Sequence, residues 1–222
     1  MGLYLRQLQL GPMKNFVYLV GAEGSPETAV IDCAWDAEAV LAAAAEDGRR
    51  ITHALVSHWH ADHTNGLAPL LEKQGVRVMA GAADVGDLLP ELRSEATALA
   101  GGDVIEVGPL RLRALHTPGH TPGSTTYALD AGPATGAGAV FSGDTLFVNA
   151  CGRCDLRGGD PALMWKSLQA LSALGEEVTL YPGHDYGDVP ISSIGRERKH
   201  NPYLERLGAL EEFVALRMRP RG

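Results

Sequence analysis

Apolar and polar positions alternate through Leu3–Leu10, which predicts a half-buried strand at the start of the chain. Phe16–Val20 and Thr28–Asp32 are two more short apolar runs, separated by the turn-rich stretch Gly21-Ala-Glu-Gly24-Ser-Pro26. Asp36–Asp47 is rich in Ala and Glu and predicts a helix, with Gly48 placed to stop it. Ile51–Val56 predicts a buried strand that runs directly into Ser57-His58-Trp59-His60-Ala61-Asp62-His63. A helix is expected from Asn65-Gly66 through Glu72-Lys73, closed by Gly75, and then a strand over Val76–Ala80.

The second half changes character. Asp103–Val107 and Leu110–Leu115 flank Gly108-Pro109, a hairpin-like signal. Ser124–Leu129 and Ala139–Phe141 predict strands joined by the Gly/Ala-rich loop Asp130–Gly138. Pro161–Leu174 reads as an amphipathic helix, Val178–Tyr181 as the last strand, and helical patterns resume at Ile194–His200 and Pro202–Met218. There is no repeat and no dividing linker, so residues 1–222 are expected to form one domain. Strands with interspersed helices in two successive, similar halves predict an α/β (α+β) fold: two packed sheets with helices outside.

Composition narrows the class. The chain is 45% hydrophobic and 21% charged, values that permit a full core. With 27 glycines and 13 prolines, short elements and many turns are expected. A net charge of −8 argues against a nucleic-acid partner, which needs a basic face. The basic runs Arg196-Glu197-Arg198-Lys199-His200 and Arg217, Arg219, Arg221 read as solvated helix faces. No stretch approaches the length of a membrane-spanning helix, and the N-terminus lacks a signal-peptide pattern, so a cytoplasmic protein is expected. Cys33, Cys151 and Cys154 are too few for a disulfide framework. The pair Cys151-Gly-Arg-Cys154 has no second pair to complete a zinc site, so a thiol near a substrate is the reading preferred for it.

Chemistry concentrates after the Ile51–Val56 strand. His58 and His60 are two apart, so at a strand end both imidazoles point the same way. Asp62 and His63 follow where the chain turns into a helix and aim at a neighbouring point. Two such alternating pairs suit two metal ions in one pocket, and imidazole with carboxylate suits Zn, Fe or Mn better than Ca or Mg. Three later segments each present one further ligand beside a glycine: His120 after Pro118-Gly119, Asp144 after Gly143, and His184 after Pro182-Gly183. Trp59, between two of these ligands, is read as packing against the pocket rim.

The order His-x-His-x-Asp-His, then a distant His, Asp and His, resembles the metallo-β-lactamase superfamily over nearly the whole chain. The resemblance implies an αββα sandwich with the metal site at one edge between two mixed sheets. It implies that His58, His60 and His120 hold one ion, that Asp62, His63 and His184 hold a second, and that Asp144 bridges them. Within the superfamily, Thr117–Thr121 and Ser142–Arg153 resemble hydroxyacylglutathione hydrolases of the glyoxalase II type. Cys151–Leu156 and Tyr181–Gly187 also resemble persulfide dioxygenases, which hold one Fe(II), here through His58, His120 and Asp144. Gly183 departs from that second branch, which tends to have Ala there, as does Cys154, where it has Thr.

The expected activity is therefore metal-dependent hydrolysis of a thioester such as a hydroxyacylglutathione, by a hydroxide that two divalent ions supply and Asp62 assists. The alternatives are oxidation of glutathione persulfide and a metal-binding protein without catalysis. Arg153 is expected to take a substrate carboxylate, with Tyr186, Arg196 and Lys199 as further substrate contacts. The expected partner is a small thioester or glutathione-derived substrate, with neither nucleic acid nor membrane; a homodimer is left open.

Overall fold

The structure is a computed structural model and describes residues 2–133 and 135–219, so Arg221 of the basic tail lies outside the described residues. The first half contains β1 (Leu3–Leu10), β2 (Asn15–Ala22), β3 (Glu27–Ile31), α1 (Ala37–Glu46) and β4 (Arg50–Val56). The short helices α2 (Ala61–Thr64) and α3 (Leu67–Lys73) follow, then β5 (Arg77–Gly81), α4 (Pro90–Arg93) and β6 (Ala96–Leu99). The second half contains β7 (Val104–Val107), β8 (Leu110–His116), β9 (Thr125–Leu129) and β10 (Ala139–Gly143). A small hairpin of β11 (Leu146–Phe147) and β12 (Ala150–Cys151) comes next, followed by α5 (Pro161–Ser172). The chain then forms β13 (Thr179–Pro182), β14 (Ser192–Ser193), α6 (Ile194–His200) and α7 (Leu210–Arg217).

The strands make two six-stranded mixed sheets, ordered β1-β2-β3-β4-β5-β6 and β14-β13-β10-β9-β8-β7. Period-two alternation sends the side chains of each strand into two different cores. Along β2, Phe16, Tyr18 and Val20 enter the layer between the sheets, where they meet Leu112, Tyr127 and Phe141. Val17 and Leu19 face the other way and pack with Val40, Leu67 and Leu70 from α1 and α3. Across the second sheet, Val140 and Leu180 pack against Met164, Leu168, Ile194 and Phe213 from α5, α6 and α7. The layers are therefore helix, sheet, sheet, helix.

The helices begin where the sequence supplies caps. Asp36 accepts from the Ala39 N–H at 2.9 Å, and Asp160 accepts from Ala162 and Leu163 ahead of α5. Gly48, with φ +66°, ends α1 as expected.

Several expectations are corrected. β6 was not foreseen: Ala-Thr-Ala-Leu is too short and too weakly apolar to signal an edge strand, and only Leu99 in it is buried. β13 is not the last strand, because Ser192 and Ser193 pair with it as β14. The helix expected from Asn65-Gly66 starts at Leu67, since Asn65 closes α2. The Pro202–Met218 pattern divides into a 3₁₀ turn over Leu204–Arg206 and α7. Arg217 is no surface cation: it is 5% exposed and donates to the Tyr203 hydroxyl at 2.9 Å. Among the described residues no helix is long and apolar enough to cross a membrane.

Candidate active site

Four chain segments meet at one edge of the sandwich. The segment after β4 brings His58, His60, Asp62 and His63; the loop between β8 and β9 brings His120. Asp144 follows β10, and His184 follows β13. His58 and His60 lie just beyond β4, not on it, because the Ser57 N–H leaves the ladder and donates to Asp32 at 2.7 Å. Extended backbone still places the two imidazoles side by side, ring centroids 4.7 Å apart.

The glycines beside these residues are sterically required. Gly143 has φ +49°, and a Cβ there would sit 2.5 Å from the Ser57 Cβ. A Cβ on Gly183 would sit 2.6 Å from the Asp144 Oδ1.

The seven side chains fall into three overlapping groups whose ligand atoms lie within 4.8 Å of one another: His58, His60 and His120; His58, His63 and Asp144; Asp62, His63 and His184. Asp144 stands between the outer groups. Its Oδ2 is 3.5 Å from His120 Nε2, and its Oδ1 is 3.4 Å from both His63 Nε2 and His184 Nε2.

Hydrogen bonds behind the imidazoles fix which nitrogen faces the centre. His120 Nδ1 donates to the Arg153 carbonyl at 2.8 Å, and His184 Nδ1 to the Met13 carbonyl at 2.9 Å. His63 Nδ1 meets Asp32 at 2.9 Å. His58 Nδ1 lies 3.0 Å from Ser57 Oγ, whose own proton goes to Asp32 at 2.6 Å. In each ring Nε2 is left to face the centre, as metal-ligating histidines need.

The residues present fit a metal. Among the described residues, His58 Nε2 and Asp144 Oδ1 are buried without a hydrogen-bond partner, an arrangement that is costly unless something else satisfies it. Burial, reinforced by His63 and His120, holds His58 well below the ordinary imidazole range. Burial and His120 push His60 down to about 4, so both rings keep their lone pairs at neutral pH. Burial also opposes a charge on His63, yet Asp144 and Asp32 outweigh it and hold His63 well above its usual value. For Asp144, burial would favour the neutral acid, but His63 and His184 outweigh it and keep the carboxyl far below its usual range. The carboxylates thus call for positive charge beside two rings, His58 and His60, that refuse a proton.

Three polar residues that support this centre were not singled out from the sequence. Asp32 is 2% exposed and serves both His63 and Ser57. Asp84, fully buried, accepts from Thr121 Oγ1, Gly123 N–H and Trp59 N–H, tying the His120 loop to the His58–His60 segment; burial raises its pKa despite those bonds. Asn15, also fully buried, donates to the Asp62 carboxylate at 3.0 Å. The one sequence signal available was a polar residue beside an apolar run that offers it no solvent. Trp59 packs into the helix–sheet core and lies under the Arg157 guanidinium.

A cavity of about 730 Å³ opens above the cluster. His60, Asp62, His120, Asp144 and His184 form its floor, and Met13, Phe147, Ala150 and Leu156 supply apolar walls. Arg153, Tyr186 and Cys151 line it as well. Arg153 is held by Asp155 through two bonds of 2.9 Å, and Tyr186 stacks on His184 with centroids 4.5 Å apart. Arg196 and Lys199 are not brought to the cavity. Arg196 pairs with Asp188 and with Glu197, and Lys199 is exposed on α6. Cys154 faces the α5 side instead, where burial pushes its thiol up to about 12.

Glu197 is wholly buried in that neighbourhood. It accepts from the Asn149 N–H at 2.7 Å and from Asn201 at 3.0 Å, and Asn201 donates to the Phe147 and Ala150 carbonyls. α6 thus anchors the β11–β12 wall of the cavity.

Residues 10–184 match the sequence profile of the metallo-beta-lactamase superfamily. The chain is 37% identical over 203 residues to a hydroxyacylglutathione hydrolase of Rhodopseudomonas palustris (strain BisA53), covering 91% of this chain and 74% of that one. It is 40% identical over 190 residues to a hydroxyacylglutathione hydrolase of Cereibacter sphaeroides (strain ATCC 17025 / ATH 2.4.3), covering 86% and 70%. Among solved structures, ETHE1 from Myxococcus xanthus aligns with a TM-score of 0.85 and 31% identity, over 98% of this chain and 92% of that one. TTHA1623 in a di-iron-bound form aligns with a TM-score of 0.75 and 30% identity, over 90% of this chain and all of the other.

Proposed function

The chain belongs to the metallo-β-lactamase superfamily, and from that premise we propose that it is a metal-dependent thioester hydrolase acting on hydroxyacylglutathione-type substrates. The observation that carries this reading is the Asp144 carboxylate standing between two three-ligand groups on the floor of a substrate-sized cavity. His58, His60 and His120 would hold one divalent ion, Asp62, His63 and His184 a second, and Asp144 both; Zn, Fe and Mn suit these donors. The likeness to TTHA1623, solved in a di-iron-bound form, supports two ions.

Bound there, such ions acidify a water and polarise a carbonyl oxygen. The chain's own residues do the rest. Asn15 fixes one oxygen of Asp62 and leaves the other to accept a proton from a water in the cavity. Met13, Phe147 and Leu156 keep bulk water from the acyl group. A thiolate leaving group, with a thiol pKa near 8.5, departs with little acid assistance. Arg153 and Tyr186, which line the cavity, would meet the thiol portion of the substrate.

A second reading, persulfide oxidation at one iron held by His58, His120 and Asp144, is favoured by the structural likeness to ETHE1. The test is S-lactoylglutathione supplied to the metal-loaded protein, with thioester loss and oxygen uptake followed together. Hydrolysis without oxygen uptake is expected; oxygen uptake with glutathione persulfide and no thioester loss supports the second reading instead.

A further inference from the structure

Beside the main cavity lies another of about 500 Å³, lined by Pro12, Met13, Lys14, Asp185, Tyr186 and Gly187. Met13 and Tyr186 line both, so the two spaces adjoin across one pair of side chains. The smaller one carries a cation, Lys14, and an anion, Asp185. Among the described residues neither is engaged in an ion pair, whereas Arg153 and Arg196 are already paired with Asp155 and Asp188.

This shelf is rigidly registered to the reaction centre. Lys14 closes the β1–β2 turn in a left-handed conformation, φ +55°, with its N–H on the Gly11 carbonyl. The Asp185 N–H donates to the Lys14 carbonyl at 2.9 Å, and the Phe16 N–H to the Gly183 carbonyl at 2.8 Å. Between those two bonds, Asn15 and His184 form a β-bridge. The same strand contact that aims His184 at the floor therefore fixes where Lys14 and Asp185 stand.

We propose that this second cavity binds the α-amino acid end of the thiol carrier, Lys14 meeting its carboxylate and Asp185 its ammonium group. The proposal deepens the thioester-hydrolase reading and rests on it. Two opposite charges on adjoining loops, unpaired among the described residues, are complementary to a ligand that carries both charges on one carbon, as the γ-glutamyl end of glutathione does. An extended tripeptide spans roughly 10 Å, and the main cavity and the shelf share Met13 and Tyr186 as lining. Carriers with a neutral or purely anionic end leave one of the two charges unanswered, so the shelf is a specificity device.

The test uses ligands that cannot turn over. The metal-loaded protein is titrated by calorimetry with S-methylglutathione and with S-methylcysteinylglycine, which lacks the γ-glutamyl group. The wild type is expected to bind the first about fivefold more tightly, a modest ratio because both charges face solvent. In Lys14→Ala and in Asp185→Asn that ratio is expected to fall to about one, with melting temperatures little changed. Equal binding of the two ligands by the wild type, no response to S-methylglutathione, or a ratio that survives both substitutions overturns the proposal. S-lactoylglutathione turnover, measured alongside, separates the readings: ligand discrimination without turnover contradicts the hydrolase and leaves the shelf standing.

Discussion

The floor and the rim of the main cavity hold their side chains in opposite ways. On the floor, His58, His63, His120 and His184 each have Nδ1 engaged from behind, and all are buried to 3% exposure or less. At the rim, Tyr186 is 52% exposed, and among the described residues the Arg153 guanidinium is steadied by its near neighbour Asp155 alone and Lys14 has no charged partner. A centre that orders reacting atoms needs its ligands fixed within a fraction of an ångström. Recognition of a flexible, charged thiol carrier tolerates looser contacts, each contributing little. The asymmetry teaches that substitutions behind the floor should cost more than substitutions facing the substrate at the rim.

Asp144→Asn gives the largest effect, because it removes charge from the residue that stands between the two outer ligand groups. Loss of bound metal and a fall in kcat/KM of more than about 100-fold are expected, measured by elemental analysis and thioester turnover. Next comes Asp32→Asn, which touches no substrate and alters the support of His63 and Ser57. A 10- to 100-fold loss of metal affinity, read by competition with a chelator, is expected. An unchanged affinity would mean the floor's order comes from elsewhere.

Gly183→Ala follows, since its Cβ would meet Asp144 Oδ1 at 2.6 Å. Roughly tenfold lower kcat/KM with little change in melting temperature is the expected result. At the rim, Arg153→Ala should raise KM by about fivefold or less, and Arg196→Ala, outside the cavity, by less than about twofold. A larger effect from either than from Asp32→Asn would reverse the comparison.

The thiols sharpen the contrast through pH. Burial raises Cys33, with Asp32 adding to the effect, and Cys154, each to about 12 against an ordinary 9.0. Both are protonated in either state below pH 9, where their contribution to stability is complete; above it the unfolded chain ionises first and stability falls towards pH 12. Denaturant midpoints are expected to decline over that window, and less steeply in Cys154→Ala. Alkylation at neutral pH should spare Cys33 and Cys154.

The residues that come together at the floor were legible because their pattern is local. Four side chains able to coordinate a metal fall within His58–His63, and the remaining three each sit beside a glycine that the backbone requires. The sandwich followed from period-two runs such as Phe16–Val20. What supports the cluster was not legible, because Asp32, Asp84 and Asn15 act across 25 to 48 residues of sequence, on partners only the folded chain brings near. Arg196 misled for the same reason: its charge is satisfied by Asp188 and Glu197, and no local pattern announces that. Edge elements such as β6 and β14 carried too few apolar positions to be read.

The central claim is that the floor holds two ions with Asp144 between them. Metal content by elemental analysis, on protein expressed with both iron and zinc available, tests it most directly. About two metal atoms per chain are expected, of whichever element, falling sharply in Asp144→Asn. One iron per chain and no second metal would contradict the account and assign the site to oxygen chemistry.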